Sequence, residues 1–210
     1  TQQYGSSGSD YARGISLDSS GNIYVVGDTS GGLGSNSNSG SEDLFLIKYN
    51  SSGNLLGTQQ LGTFSNDVAF DVATDSSGNS YVTGYTGASL DGNTHSGELD
   101  LFLVKYDTSG NKSWTKQLGT STSDYARGVS VDADGNVSFT GYTTAALDGQ
   151  THYGRDDLFL VKYNSSGTKL WTRQLGTSTL DRAVDVIHDA SGNAYIAGST
   201  SVSYTHLTLP

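Results

Sequence analysis

Apolar residues along this chain come in short runs, and each run returns at a fixed interval. DLFLIKY from Asp43, DLFLVKY from Asp100 and DLFLVKY from Asp157 stand 57 residues apart. A second phrase keeps the same step: GNIYVVG from Gly21, GNSYVTG from Gly78, GNVSFTG from Gly135 and GNAYIAG from Gly192. A constant period of this length marks one supersecondary unit copied in tandem.

The unit from Asp124 to Leu180 serves as the type. Its first run, from Ala126 to Asp132, has period-two character and small residues early on, which suits an innermost strand A. DADGN from Asp132 follows, with sisters at Asp18, Asp75 and Asp189. An Asp that bonds the backbone two residues on, with Gly at positive φ, predicts a type I turn with a Gly bulge. Strand B is expected over Val137 to Thr143. A long polar segment, 144–156, then leads to strand C, DLFLVKY. A second tight turn, NSSGT from Asn164, leads to strand D over Lys169 to Leu175, an outer edge mixing Trp171 with Lys, Arg and Gln.

In strand C, Phe159, Val161 and Tyr163 point one way and Leu158, Leu160 and Lys162 the other, so both faces are mostly apolar. A strand of that kind is buried on both sides. Each four-stranded unit must therefore be sandwiched between its own copies, which predicts an all-β fold: a β-propeller of four-stranded antiparallel blades. The expected arc is incomplete, about 3.5 blades, over residues 1–201: 1–9 ends a preceding blade, 10–66, 67–123 and 124–180 are blades, and 181–201 is a partial one. A parallel β-helix fits badly, because its coils are shorter and lack two tight hairpins per unit. The last stretch, 202–210, leaves the pattern. Back-translated, VSYTHLTLP matches a sequencing-library transposase adapter, so a non-native tail is expected there.

TQQYGS from Thr1 aligns with TQQLGT one period later, so the chain reads as a fragment beginning in mid-pattern. The net charge of −10, with 11 Lys and Arg, argues against nucleic acid and anionic lipid as partners. The absence of Cys removes disulfides, thiolate metal sites and cysteine nucleophiles. No apolar run reaches the ~20 residues that cross a bilayer, so no membrane insertion is expected.

With short hairpins on one face of the disc, the long B–C and D–A connections share the other, where binding is expected. Asp67, Asp124 and Asp181, with Asp10, recur just before strand A. A carboxylate ring there can hold Ca²⁺ or a cationic ligand, or can simply cap its loops. Asp91 with His95, and Asp148 with His152, recur in LDGNTHSG and LDGQTHYG, and two imidazoles in neighbouring blades can share a metal or bond within their loops. Glu98 and Arg155 occupy equivalent positions and can pair across blades; His188 reads as a packed inner-strand residue. DADGN resembles the start of an EF-hand loop but lacks the Gly at position six and the Glu at twelve. No G-x-S-x-G nucleophile elbow is present.

GNxYVxG followed by DLFLVKY, four copies in register over residues 1–201, resembles the bacterial SBBP-type seven-bladed β-propeller repeat family. The resemblance implies a secreted or cell-surface bacterial protein with no catalytic residues to carry over. The functional expectation is a non-enzymatic scaffold, adhesion or binding segment without a cofactor. Its partners are a protein or glycan ligand and the neighbouring blades of the same chain. The alternatives are part of a propeller-type glycan hydrolase or lyase, and a calcium-stabilised surface module.

Overall fold

A computed structural model describes residues 3–201; the tail at 202–210 lies outside them. Fourteen strands form three four-stranded antiparallel sheets and one two-stranded sheet among the described residues. The first sheet contains β1 (Asp10–Leu17), β2 (Ile23–Thr29), β3 (Asp43–Tyr49) and β4 (Leu55–Leu61), in that order. The second contains β5 (Asp67–Thr74), β6 (Ser80–Thr86), β7 (Asp100–Tyr106) and β8 (Lys112–Leu118). The third contains β9 (Asp124–Val131), β10 (Val137–Thr143), β11 (Asp157–Tyr163) and β12 (Lys169–Leu175). The last is the pair β13 (Asp181–His188) and β14 (Ala194–Thr200). The sheets stand side by side with β1, β5, β9 and β13 adjoining one another. This is an open propeller arc of three blades and the inner half of a fourth.

The turns follow their sequence. Gly21 N–H donates to the Asp18 carbonyl at 3.0 Å, and Gly21 has φ +75°. The Asp18 carboxylate accepts from the N–H groups of Ser20 and Asn22, from the Asn22 amide and from Tyr24 OH. With both oxygens bonded inside the hairpin, this aspartate has a turn-closing role rather than a calcium loop's.

The core lies between blades. Leu44 and Leu46 of β3 meet Phe102, Val104 and Tyr106 of β7, and Leu101 and Leu103 meet Phe159, Val161 and Tyr163 of β11. The odd and even residues of each DLFLVKY strand thus serve two different interfaces. The strand-C lysines close the same seams: Lys48 Nζ reaches the Thr108 carbonyl at 2.8 Å and Lys105 Nζ the Ser165 carbonyl at 2.9 Å, each in the next blade's outer turn.

The inner strands are not the regular period-two runs expected. Each carries a β-bulge: the register slips between Ala12 and Gly14, Ala69 and Asp71, Ala126 and Gly128, and Ala183 and Asp185. Arg13, Phe70, Arg127 and Val184 are the extra residues. The bulge brings a carbonyl of the inner strand onto strand B. A Cβ built on Gly27, Gly84 or Gly141 would lie 1.8 Å from the carbonyl oxygen of Tyr11, Val68 or Tyr125. The last Gly of each GNxYVxG phrase is therefore set by close backbone approach, not by a turn.

Candidate functional site

The long loops are fastened from beneath. Leu33, Leu90 and Leu147 point from them into the core and are buried. Gln117 of β8 accepts the Leu90 N–H at 2.8 Å and donates to Asp100 and to the Ala88 carbonyl; Gln60 and Gln174 repeat the arrangement. Leu90–Gly92 and Leu147–Gly149 form single 3₁₀ turns, in which Asp91 and Asp148 take φ of 54° and 52°.

These loops account for the candidate residues one by one. His95 Nδ1 lies 3.4 Å from Asp100 and 3.3 Å from Gln117 Nε2, and His152 stands likewise beside Asp157 and Gln174. Asp91 pairs with Lys112 at 2.5 Å, and Asp148 with Lys169 at 2.5 Å and Thr172 at 2.7 Å. Each Asp and His of the recurring phrase is thus held by separate partners in its own blade. Among the described residues no group of three or more His, Asp or Glu side chains is placed to hold a metal ion.

Asp67, Asp124 and Asp181 start β5, β9 and β13 and are buried. Asp67 accepts from the Thr63 N–H and hydroxyl and from Thr86. Asp124 accepts from the Thr120 N–H and hydroxyl and from Thr143, and Asp181 from the Thr177 N–H and hydroxyl. Burial pushes the carboxyls of Asp67 and Asp124 up, while these hydrogen bonds pull them down. Glu98 accepts from Ser123 at 2.9 Å, and no ion pair joins it to Arg155 among the described residues. The two side chains extend from solvent-facing loops, where a pair would contribute about 0–1 kcal/mol.

The inner strands, by contrast, build a site that the recurring motifs do not mark. The four bulge residues Arg13, Phe70, Arg127 and Val184, with Tyr142 and Arg182, line a cavity of about 610 Å³ where the four sheets converge. It sits near the start of each strand A, on the long-loop side of the channel. Three of the chain's five arginines meet there. Arg13 pairs with buried Asp28 and Arg182 with Asp156. Arg127 makes no ion pair among the described residues; its guanidinium lies 4.0 Å from the Phe70 ring centroid and donates to Tyr142 OH at 3.2 Å. Phe70, Tyr85, Tyr125 and Tyr142 form a continuous ring contact, the last two stacked at 4.8 Å. Arg182 covers Tyr142 at 4.5 Å. Deeper in the channel wall, Asp71 accepts the Val129 N–H of the next blade at 2.8 Å, and burial pushes its carboxyl up to about 6.

The signal for this site was divergence between copies. Arg13, Phe70, Arg127 and Val184 are equivalent positions, as are Asp28, Tyr85, Tyr142 and Ser199; strand A varies between copies elsewhere too, as at Tyr11, Val68, Tyr125 and Arg182. Attention to what recurs misses what varies.

An open propeller arc with loops fastened by hydrogen bonds and a channel mouth of arginine and tyrosine defines a repeat scaffold of the β-propeller class. The family model for the SBBP beta-propeller repeat matches residues 1–34, 56–91, 113–147 and 170–205, and the chain belongs to that family. The matched segments run from strand D through A and B into the long loop. The chain is also similar to the Regulatory protein FlaEY of Caulobacter vibrioides, 26% identical over 202 residues, covering 85% of this chain and 21% of that protein. It is similar as well to an uncharacterized WD repeat-containing protein, L264, of Acanthamoeba polyphaga mimivirus, 25% identical over 114 residues, 49% of this chain and 8% of that protein. The chain thus spans only a minor part of either relative.

Proposed function

We propose that this chain is a non-catalytic β-propeller segment of a secreted or cell-surface bacterial protein, and that it presents its long-loop face to a protein or glycan ligand. One observation carries the reading. The recurring polar groups Asp91, His95, Asp148 and His152 are each bonded within their own blade, and Asp67, Asp124 and Asp181 to a threonine at the end of the preceding one, while the bulge residues that line the channel mouth vary from blade to blade. Catalysis by acid and base groups calls for side chains held toward a substrate rather than toward their own loop. The printed names of the relatives, a regulatory protein and a WD-repeat protein, favour an interaction role over turnover. No helix among the described residues is long and apolar enough to cross a membrane.

The test is a panel of polysaccharides and proteins offered to the full chain, read for both binding and product. Binding without product is expected. Robust turnover of a glycan would replace this reading with the hydrolase or lyase alternative. Protease shaving of intact cells that express the natural protein checks the location: loss of the repeat segment is expected, and full protection refutes surface exposure.

A further inference from the structure

The channel mouth has a chemistry of its own, and assigning it a ligand rests on the binding-module role proposed above. Its three guanidiniums are matched by two carboxylates, Asp28 and Asp156. Half-buried Glu42 acts on the blade-one side, where it influences Arg13 and Tyr85. Arg127 is the guanidinium of the three with no carboxylate in ion-pair contact among the described residues. That guanidinium is half-buried, lies 4.0 Å from the Phe70 ring centroid and donates to Tyr142 OH, so its planar fork is oriented before any ligand arrives. Tyr142, backed by the stacked Tyr125, extends the wall beside it, and Tyr142 OH adds a second polar group.

We propose that this mouth is a binding site for a single carboxylate carried on a ring: Arg127 takes the carboxylate, and Phe70 and Tyr142, which line the cavity, flank the ring. A guanidinium binds a planar carboxylate through two parallel N–H donors, a geometry a spherical anion does not use. The cavity, about 610 Å³, falls in the range of small-ligand sites. The net charge of −10 on the chain disfavours a polyanion at long range, which leaves one negative charge as the fitting load. The bulge supplies the geometry. An extra residue at position 127 leaves the ladder and turns its side chain into the channel, while Gly128 and Val129 keep the blade's pairing and core.

The ring can be aromatic or a sugar, and the probes separate the two. Benzoate and glucuronate are titrated into the full chain by calorimetry, with benzamide and glucose as neutral counterparts and tripolyphosphate as a polyanion. The acids are expected to bind and the neutral compounds not to; whichever acid binds tighter identifies the ring. Arg127→Gln should lose 10- to 100-fold in affinity, and Arg127→Lys nearly as much, because lysine has no fork. Tyr142→Phe keeps the charge and the ring and should lose only a few-fold. Equal binding of acid and amide, tighter binding of tripolyphosphate, or no acid binding by the folded wild-type chain each overturns the proposal. The acid-against-amide comparison uses the wild type alone, so an unfolded Arg127 variant cannot mask the answer. Failure here leaves the non-catalytic scaffold standing, whereas turnover of a glycan removes the scaffold and leaves the site.

Discussion

The sixth residue of the unit, counted from the Asp that opens strand A, tests whether the blades depend on one another. The equivalent residues are Ile15, Val72, Val129 and Val186, all in strand A two residues after the bulge. Ile15 is 68% exposed, while Val72, Val129 and Val186 are 4%, 5% and 1% exposed. Val72 packs on Tyr24 and Val26 of the blade before it; no described blade precedes Ile15. Val72→Ala removes two methyl groups from a closed interface, about 1.6 kcal/mol of transfer free energy. The cavity left behind raises the cost to roughly 2–3 kcal/mol. Ile15→Ala removes more atoms, yet most of that surface already faces solvent, so the cost is about 0–0.5 kcal/mol. The larger truncation should therefore be the milder one. Urea melts of the two variants, read as midpoint and slope, give the comparison. A fall in midpoint for Val72→Ala with an unchanged slope is expected. Equal costs at the two positions would mean that each blade closes its own core, and the sandwiched architecture would be wrong.

The remaining predictions concern backbone, protons and metal. Gly84→Ala places a Cβ 1.8 Å from the Val68 carbonyl, so it should cost about 3 kcal/mol or more, and Gly198→Ala less, since its nearest atom is 2.5 Å away; thermal melts rank the two. His188 sits between Ser130 and Ser138 across the last blade seam, and burial, then Lys162, holds its pKa below 6.5, against Asp132 and Asp189. A lowered histidine pKa stabilises the fold at neutral pH, and that stability is lost as pH falls below about 6.5 through the folded value. Asp71 has the opposite sign. Its carboxyl, raised to about 6, favours folding below its ordinary 3.8, and that advantage fades as pH rises through 6. His188→Gln should flatten the acid side of the stability curve, and Asp71→Asn should gain on the wild type as pH rises from the ordinary carboxylate range to neutrality; urea midpoints across pH read both. The thermal midpoint should not move when EDTA replaces Ca²⁺, because the loop carboxylates already accept protein N–H and O–H groups. A rise of several degrees with Ca²⁺ would restore the calcium-stabilised alternative.

The architecture was legible because the signals for it are local and repeated. DLFLVKY shows two apolar faces to anyone who counts by twos, and the structure puts Phe102 and Leu103 in different cores for that reason. DSSGN spells its own turn. The bulge was not legible, because a period-two pattern carries no mark for one extra residue, and a Gly such as Gly84 looks like a turn former until the Val68 carbonyl is seen against it. The His-containing loops left two readings open, a shared metal or bonding within the loop, and the contacts seen are of the second kind. His95 and His152 have metal-ligand chemistry, but Gln117 and Gln174, two strands away in each blade, occupy their hydrogen-bonding positions.

The two substitutions at the last seam show how such a scaffold can vary without losing its fold. In the first blade Tyr24 OH reaches across to the Gly78 carbonyl at 3.0 Å and seals the contact with the second. The equivalent residue in the third blade is Ser138, too short to span the same gap. His188, where the other blades have Leu17, Thr74 and Val131, reaches back and meets Ser138 at 3.1 Å. A large residue facing a small one has been exchanged for the reverse, with the volume and one polar contact kept at the seam. The bulge permits change in a similar way: because residues 13, 70, 127 and 184 stand outside the ladder, their identity can change from Arg to Phe to Val while the cores on either side keep their packing. Variation is therefore least costly at the channel mouth, and that is where a ligand would meet it.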